Sequence, residues 1–338
     1  MYEQHGPPDV LRVVEAPDPH PGPGEVLVRV EACGVNRLDA LQRSGPPVIG
    51  NFALPHVPGM DIAGTVVASG ASDHSALVGR RVVVKSGIHC GRCPACASGE
   101  THRCGASRLL GGNAPGGYAE LCLVPASHVF DVPDEVTLTT AATVPTGFAT
   151  AWRGLVVTGG VRVGEWVMIN GAGSGVSTFA IQIAKLAGAR VVVTSRSEDR
   201  LRRAIELGAD AGVNTTDEEL VAEVVELTGG GADLVFDHVG AAMFQASIQC
   251  LKPGGRLAFC GTTTGAQATF SLPMAYHKGV TLLGVPNLRH TEFEPMLAKF
   301  WQSGIEPVID EAFPLERAAD AHVRLERGDV FGKLVLIP

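Results

Sequence analysis

Four cysteines stand close together in the first third of the chain. They are spaced C-x2-C-x2-C-x7-C among glycines and a proline, at Cys90, Cys93, Cys96 and Cys104. Four thiolates complete a tetrahedral shell around Zn²⁺, and such a site is structural because no position is left open for water or substrate. An iron–sulfur cluster and a set of unrelated thiols are the alternatives. The close spacing favours one structural zinc ion.

A glycine-rich turn in the second half of the chain is the other pattern with chemical meaning. An apolar run at residues 166–169 predicts a buried strand, and residues after the turn recur at helical spacing before a second strand at 191–193. The turn contains Gly171, Gly173, Ser174, Gly175 and Val176. A strand, glycine turn, helix and strand place a pyrophosphate against the amides of a helix N-terminus. Val176 replaces the third glycine of G-x-G-x-x-G, so the prediction of a dinucleotide site depends on the surrounding βαβ unit.

The residues that follow the second strand indicate which dinucleotide is bound. A protein that binds NAD usually has Asp or Glu here to hold the ribose hydroxyls. This chain has Thr194, Ser195 and Arg196, followed by Arg200. Hydroxyl and guanidinium groups suit a 2′-phosphate, which predicts NADPH. The alternative is that Arg196 is a solvated arginine at the start of a helix.

The elements around these motifs follow from hydrophobic periodicity and turn residues. The first half is rich in β-strands, predicted at residues 10–14, 25–32, 62–69, 81–85 and 118–124. A helical pattern at 139–155 leads to strands at 166–169, 191–193, 211–213, 234–237, 256–260 and 280–285. Helices are predicted between and after them at 201–207, 218–227, 243–251, 291–302 and 314–326, before a last strand at 333–337. Strands that alternate with helices predict an α/β fold with a doubly wound parallel sheet.

Composition and charge exclude several classes of partner. The chain has 338 residues, which suggests two domains, and 45% of them are hydrophobic. The net charge is −8 and no dense Lys/Arg cluster is present, so we expect neither nucleic acid nor a membrane surface as a partner. No apolar stretch is long enough to span a bilayer and no signal peptide is recognisable. We therefore expect a cytoplasmic protein whose eight cysteines are thiols or metal ligands.

The combined features resemble the medium-chain dehydrogenase/reductase superfamily over essentially the whole chain. The motifs that carry the resemblance are residues 34–39 (GVNRLD), 90–104, 171–176, 237–240 (DHVG), 251–255 (LKPGG) and 332–335 (GKLV). The Rossmann half is similar to quinone oxidoreductases and the cysteine lobe to zinc alcohol dehydrogenases. The resemblance implies a GroES-like catalytic domain at 1–124 with a zinc lobe at 85–108, a Rossmann domain at 125–286, and a return to the catalytic domain at 287–338. Members usually begin with more strand residues, so we expect this N-terminus to be short.

The resemblance also allows a test for a catalytic zinc ion. Zinc alcohol dehydrogenases have Cys where this chain has Asn36, His where it has Met60, and Cys or an acid near Ala142. Amide and thioether groups are poor zinc ligands, and Asp61 alone does not hold a metal. The proton-relay hydroxyl is replaced by Leu38. Without a Lewis acid, an alkoxide has no means of stabilisation, which argues against a conventional zinc alcohol dehydrogenase.

Hydride transfer to a carbon that is already electrophilic remains feasible. A conjugated enone, enoyl thioester or quinone spreads the added charge onto an oxygen that modest hydrogen bonds stabilise. We therefore expect an NADPH-dependent reductase of an activated double bond or quinone. The alternatives are a zinc-type alcohol or aldehyde dehydrogenase, and an NADPH-binding protein without turnover.

The resemblance also implies the site residues. Catalytic roles are expected for Asn36, Asp39 and Thr146. The cofactor is expected to contact Gly171, Gly173, Ser174, Gly175, Val176, Ser195, Arg196, Arg200, His238, Val239, Cys260, Gly261, Val285, Asn287 and Lys333. The proton donor is left open among Asp39, Asp61, His56, His238 and water. The apolar strand at 280–285, at the expected edge of the Rossmann sheet, predicts a homodimer because it would otherwise be exposed.

Overall fold

The chain crosses between two units at two points. The computed structural model describes residues 1–216 and 219–338, and at residue 73 it describes the backbone alone. The first unit contains Met1–Gly147 and Leu288–Pro338, and the second contains Phe148–Asn287. The sequence places the first crossing after residue 124. The chain crosses later because the strand Val129–Asp131 pairs with Arg81–Val84 inside the first unit.

A sheet with mainly antiparallel pairing forms the first unit. The strands of this unit, numbered along the whole chain, are β1 (Glu25–Val35), β2 (Asp61–Ser69), β3 (Arg81–Val84), β4 (Gly87–Ile88), β5 (Arg108–Leu109), β6 (Leu121–Pro125), β7 (Val129–Asp131), β14 (Ile309–Pro314) and β15 (Lys333–Ile337). Of these, β4 and β5 form a separate two-stranded sheet. In the described part of the chain, the main sheet has the order β14-β15-β1-β2-β3-β7, and β6 also pairs with β1. The alternating Val26, Val28 and Val30 of β1 point into the core, as their period of two predicts.

Short helices connect the strands of the first unit. The α-helices are α1 (Arg37–Ser44), α2 (Pro94–Ala97), α3 (Leu138–Ala141), α10 (His290–Ser303) and α11 (Ala318–Arg327). Short 3₁₀-helical segments occupy Pro8–Val10, Ser72–Leu77, Thr101–Arg103, Ala126–His128 and Leu315–Arg317. Helix α1 begins after Asn36, whose backbone N–H donates to Asp39 Oδ2 at 2.8 Å in a capping box. This cap fixes the position of the two residues relative to the end of β1.

The predicted strand at residues 10–14 is wrong. The chain forms a 3₁₀ turn at Pro8–Val10 and then irregular structure. Val13 and Val14 are 61% and 47% exposed. Consecutive prolines at 7 and 8 favour a turn, and the valines that follow have no neighbouring strand against which to pack.

A parallel sheet forms the second unit, as predicted. Its strands are β8 (Trp166–Asn170), β9 (Arg190–Ser195), β10 (Ala211–Asn214), β11 (Ala232–Asp237), β12 (Leu251–Phe259) and β13 (Thr281–Gly284). Within the described residues their order is β10-β9-β8-β11-β12-β13, with parallel pairing throughout. The order reverses direction between β8 and β11, which is the switch point where α/β sheets bind ligands. Strand β8 is buried along its whole length, which explains its continuous apolar run.

Helices surround the parallel sheet. They are α4 (Ala149–Trp152), α5 (Gly175–Leu186), α6 (Glu198–Glu206), α7 (Leu220–Thr228), α8 (Ala241–Cys250) and α9 (Leu272–Lys278). The helix predicted at 139–155 is a series of short α- and π-helical turns, the latter at Val144–Phe148 and Arg153–Thr158. The helix predicted at 218–227 starts at residue 218, which lies outside the described residues. Among the described residues, no helix is both long and apolar enough to cross a bilayer.

Candidate active site

Three neighbouring strands of the first unit place polar side chains at one edge of its sheet. Gly34 at the end of β1 pairs with Asp61 at the start of β2. On the other side of β1, Val35 pairs with Leu334 at the start of β15. Because both pairings are antiparallel, the end of β1 meets the beginnings of β2 and β15. The absence of a side chain at Gly34 is required here, since a Cβ would lie 2.9 Å from Asp61 Cβ.

A buried ammonium group is the centre of this edge. Lys333 Nζ donates to Asp61 Oδ2 at 2.8 Å, to Asn36 Oδ1 at 2.7 Å and to the Val35 carbonyl at 3.3 Å. Asn36 Nδ2 also donates to Asp61 Oδ2, at 3.0 Å. Lys333 and Asp61 are 5% and 0% exposed. The three N–H groups of the ammonium are therefore all used inside the first unit. We call Asn36, Asp61 and Lys333 the lysine cluster.

A second carboxyl group lies beside the lysine cluster. Asp39 is fully buried and accepts from the backbone of Asn36 and of Gly59, the latter at 3.2 Å. Burial raises the pKa of Asp39 to about 7, although these two backbone hydrogen bonds act against the shift. Tyr118 Oη donates to Asp39 Oδ2 at 3.5 Å and is hydrogen-bonded to His322 Nε2 at 3.0 Å. When Asp39 is protonated, it adds no charge, and the positive charge of Lys333 is balanced by the carboxylate of Asp61.

Thr146 stands apart from these contacts. It is half-buried in the π-helical turn Val144–Phe148, and its catalytic role stays a prediction.

His322, which no sequence pattern indicated, joins the site from helix α11. Its pKa is lowered to about 3 by burial, so the imidazole is neutral. The sequence could not predict a role for His322, because its hydrogen-bond partner Tyr118 is 204 residues away.

The four cysteines form the expected cluster. The sulfur atoms of Cys90, Cys93, Cys96 and Cys104 all lie within 4.8 Å of one another. The shortest described separation is 3.4 Å, between Cys93 Sγ and Cys96 Sγ, and Cys90 N–H donates to Cys104 Sγ. Four soft donors at this spacing fit a zinc site made of four thiolates and leave no open coordination position. The ion would hold the loop between β4 and β5 together.

The glycine turn of the second unit joins β8 to helix α5. Gly171 has a positive φ of 73°, and a Cβ there would lie 3.1 Å from Val239 Cγ2. Gly173 is buried in the turn, Gly175 is the first residue of α5, and Val176 is half-buried in its first turn. The turn therefore keeps a bare backbone at a helix N-terminus, which is the arrangement that a pyrophosphate requires. The residues present fit a dinucleotide.

A buried hydrogen-bond network fixes this turn. Ser174 caps α5 by accepting from Ser177 N–H at 2.9 Å. Ser177 Oγ donates to the Gly171 carbonyl at 2.8 Å and lies 2.7 Å from His238 Nε2. A hydroxyl has one proton, so the tautomer of His238 decides whether Ser177 Oγ donates to His238 Nε2 or accepts from it. Burial lowers the pKa of His238, which agrees with a neutral ring. The sequence prediction included Ser174 and His238 but missed Ser177, which is recognisable only as a serine three residues after the cap.

The ends of β11 and β12 approach each other closely. Asp237 Oδ1 accepts from the backbone N–H of Val239 at 2.7 Å and shapes the loop after β11. Cys260 N–H donates to the Asp237 carbonyl at 3.0 Å. A Cβ at Gly261 would lie only 1.7 Å from the His238 carbonyl oxygen, so glycine is required there. The predicted residues Val239, Cys260 and Gly261 thus meet at the carboxyl ends of adjacent parallel strands.

The remaining predicted cofactor residues range from buried to exposed. Ser195 is buried at the end of β9, Arg196 follows it on the surface, and Arg200 is half-buried in helix α6. Val285 N–H donates to the Phe259 carbonyl at 2.9 Å just beyond β13, and Asn287 is exposed. Arg196 thus follows the carboxyl end of β9, and Val285 follows that of β13.

The comparisons with known proteins agree with this architecture. Residues 22–134 match the alcohol dehydrogenase GroES-like domain family, and residues 175–302 match the zinc-binding dehydrogenase family. An alcohol dehydrogenase of Geobacillus stearothermophilus is 31% identical, with 96% of each chain covered. Human quinone oxidoreductase is 28% identical, over 99% of this chain and 95% of its own length.

A solved structure is similar over almost the whole chain. The crystal structure titled as an NAD-dependent alcohol dehydrogenase superposes with a TM-score of 0.92 at 40% identity, covering 99% of this chain and 98% of its own. The two matched domain families, the full-length relatives and the parallel sheet with its glycine turn establish the general activity as that of an oxidoreductase. The chain belongs to the medium-chain dehydrogenase/reductase superfamily.

Proposed function

We propose that this protein uses NADPH to reduce an activated carbon–carbon double bond or a quinone, and that it does so without a catalytic zinc ion. The observation that carries the proposal is the lysine cluster. In it, an ammonium occupies the region where zinc-dependent relatives would need metal ligands. The substrates are conjugated enones, enoyl thioesters or quinones, whose electrophilic carbon needs no Lewis acid.

The donor set at this position does not fit a catalytic zinc ion. Asn36 and Asp61 have their oxygen atoms 2.7 and 2.8 Å from Lys333 Nζ, so a metal would have to displace a buried ammonium. Met60 is 3% exposed and offers a thioether, a soft donor that suits zinc poorly in place of imidazole. A divalent ion beside an unpaired ammonium in a buried site would also meet strong repulsion. The Lewis-acid route to alcohol oxidation is therefore not available to these residues.

The chain's own residues perform binding and proton storage. When bound, NADPH would supply the hydride, and solvent water would supply the proton that the resulting enolate or hydroquinone anion takes up. The bare backbone at Gly171 and the N-terminus of α5 would hold the pyrophosphate, and the loops after β11 and β12 would line the nicotinamide end with backbone groups. Asp39 holds a proton near neutral pH, because burial raises its pKa to about 7. We propose that it positions Asn36 and keeps the lysine cluster electrically neutral, while Thr146 orients the carboxamide.

The preference for NADPH is proposed from the end of β9. The chain has Ser195 and Arg196 there, where an acidic residue would hold the ribose hydroxyls of NAD. Arg196 is exposed, so its guanidinium is accessible to a 2′-phosphate. The similar crystal structure is titled as NAD-dependent, which makes the cofactor ratio a direct test.

A zinc-type alcohol or aldehyde dehydrogenase is the second candidate. The names of the Geobacillus relative and of the similar crystal structure favour it. It would require a metal at the lysine cluster, or a substrate whose alkoxide is stabilised by Lys333 after Asp61 moves away. Both requirements make it the weaker candidate.

We also propose a homodimer formed through β13. This strand is at the edge of the parallel sheet, and Leu282 on it is 38% exposed. Leu272 and Tyr276 on the preceding helix α9 are 67% and 66% exposed. Pairing of two β13 strands would satisfy the free edge and cover these side chains.

The substrate class can be tested with purified protein. We expect NADPH oxidation with a quinone, an enone or an enoyl thioester, and little turnover of simple alcohols with NAD⁺ or NADP⁺. The measurement is kcat/KM for each pair by nicotinamide absorbance. Alcohol oxidation that exceeds every reductase activity, and that is lost on chelation while the fold is retained by circular dichroism, would overturn the proposal.

The cofactor preference can be tested with Arg196→Ala. Loss of a charge-assisted hydrogen bond to phosphate should reduce the NADPH-to-NADH ratio of kcat/KM by about 10- to 100-fold. Arg202→Ala is the matched control and should leave the ratio unchanged. Arg202 lies in helix α6, shortly after Arg196, but its guanidinium is paired with Asp199 and Glu206. An unchanged ratio in Arg196→Ala would remove the argument for NADPH.

The lysine cluster can be tested by Asp61→Asn. This variant leaves the Lys333 ammonium buried without a counter-charge, which should destabilise the protein by about 3–5 kcal/mol in urea unfolding. The double variant Asp61→Asn/Lys333→Met should recover much of that loss. Glu206→Gln, which breaks only an exposed ion pair, is the control and should change little. Equal stability of the single variant and the wild type would show that the ion pair does not form.

The oligomeric state can be tested by sedimentation. We expect a species of twice the 35.2 kDa chain mass. Leu282→Lys should shift it towards the monomer because charge is added to the paired edge, whereas Leu186→Lys, at an exposed position of α5, should not. A monomeric wild type would refute the dimer.

A further inference from the structure

Three histidines outside the candidate active site converge in the first unit. His89 lies between β4 and Cys90, His128 ends the 3₁₀ turn Ala126–His128, and His290 is the first residue of α10. One ring nitrogen from each lies within 4.8 Å of the others. The ring centroids are 4.8 to 5.2 Å apart. We call these residues the histidine cluster.

Each ring of the histidine cluster has a buried nitrogen with no hydrogen-bond partner among the described residues. These atoms are His89 Nδ1, His128 Nε2 and His290 Nδ1. His128 as a whole is only 2% exposed. A buried polar atom without a partner costs about 1–3 kcal/mol, so three in one place call for a shared partner. In the tautomer that leaves the inward nitrogen of each ring unprotonated, all three offer a lone pair, and one metal ion can accept all three.

The surroundings orient the rings as metal ligands are oriented. Ser127 Oγ is 3.0 Å from His128 Nδ1, which leaves Nε2 as the nitrogen that faces the cluster. Thr101 Oγ1 accepts from His290 N–H at 2.8 Å and fixes the start of α10. The backbone of Lys85 donates to the His128 carbonyl at 2.9 Å. Phe130, whose ring centroid is 5.9 Å from that of His290, covers one side.

We propose that the histidine cluster binds a divalent transition metal ion, Zn²⁺ or a similar nitrogen-seeking ion, in addition to the zinc ion of the four cysteines. Tetrahedral coordination at about 2.0–2.1 Å places ligand nitrogens roughly 3.3 Å apart, so small rotations of the rings close the shell. The ion would cross-link three segments that are far apart in sequence. Its role is therefore structural, and it does not depend on the proposed function.

Lys85 determines which ions are acceptable. Lys85 is 8% exposed, and burial, with a smaller contribution from the charge of Lys85, lowers the pKa of His128 and His290. A neighbouring cation keeps the imidazoles neutral but opposes any metal held mainly by charge. The histidine cluster should therefore bind Zn²⁺, Co²⁺, Ni²⁺ or Cu²⁺, which form strong bonds to nitrogen, and reject Mg²⁺ and Ca²⁺.

The test is a metal count on the full-length protein. Zinc-loaded wild type should contain two zinc ions per chain by elemental analysis, and His128→Gln and His290→Phe should each contain one. The affinity for the second ion should fall about 100-fold or more, since even outer-shell changes cost 10- to 100-fold. His290→Phe keeps an aromatic ring beside Phe130, so it preserves packing if His128→Gln fails to fold. His277→Gln, exposed in the second unit, is the control and should retain two.

Cobalt distinguishes the two sites. Co²⁺ at thiolates absorbs strongly in the near ultraviolet, whereas Co²⁺ at imidazoles adds only weak visible bands. We expect the His290→Phe variant to lose the weak bands alone, and Mg²⁺ to raise the melting temperature of neither protein. A single zinc ion per chain in the loaded wild type would overturn the proposal, and so would a second ion that persists in both histidine variants.

Discussion

A buried ammonium determines much of what the first unit can do. Lys333 is at the start of β15, and only the antiparallel pairing of β15 and β2 with β1 brings it to Asp61 and Asn36. Because an ammonium cannot remain buried without an anion, the register of these strands and the charge of Asp61 depend on each other. The same interaction occupies the donor atoms that a catalytic metal would need. Fold and chemistry are therefore linked through one ion pair.

The second unit depends on close backbone approach instead of charge. Gly171 and Gly261 bring the ends of β8, β11 and β12 close to one another, and Ser177 and His238 hold them there. These contacts keep side chains away from the N-terminus of α5, so the amides stay accessible to phosphate. The two units thus meet different requirements. The first unit neutralises a buried charge, and the second keeps the backbone amides at the N-terminus of α5 free of covering side chains.

The sequence predicted elements whose signal is local. The buried run of β8, the alternation of β1 and the four cysteines each carry their pattern within a few residues. The strand at 10–14 failed because β-propensity does not guarantee a partner strand. The lysine cluster and His322 were not predicted as contacts because their members are up to 297 residues apart and meet only through strand pairing. The chain stays in the first unit beyond residue 124 because β7 pairs with β3, which is a contact between segments far apart in the sequence.

The position of β15 has a consequence for synthesis of the protein. This strand contains residues 333–337 of 338, yet it lies inside the first unit's sheet, between β14 and β1. A nascent chain therefore carries a first-unit sheet with an unfilled place until β15 has been synthesised. The parallel sheet of the second unit is encoded without interruption and can form earlier. The first unit begins before the second in the sequence but is completed after it, and its open edge needs protection from other chains during that interval.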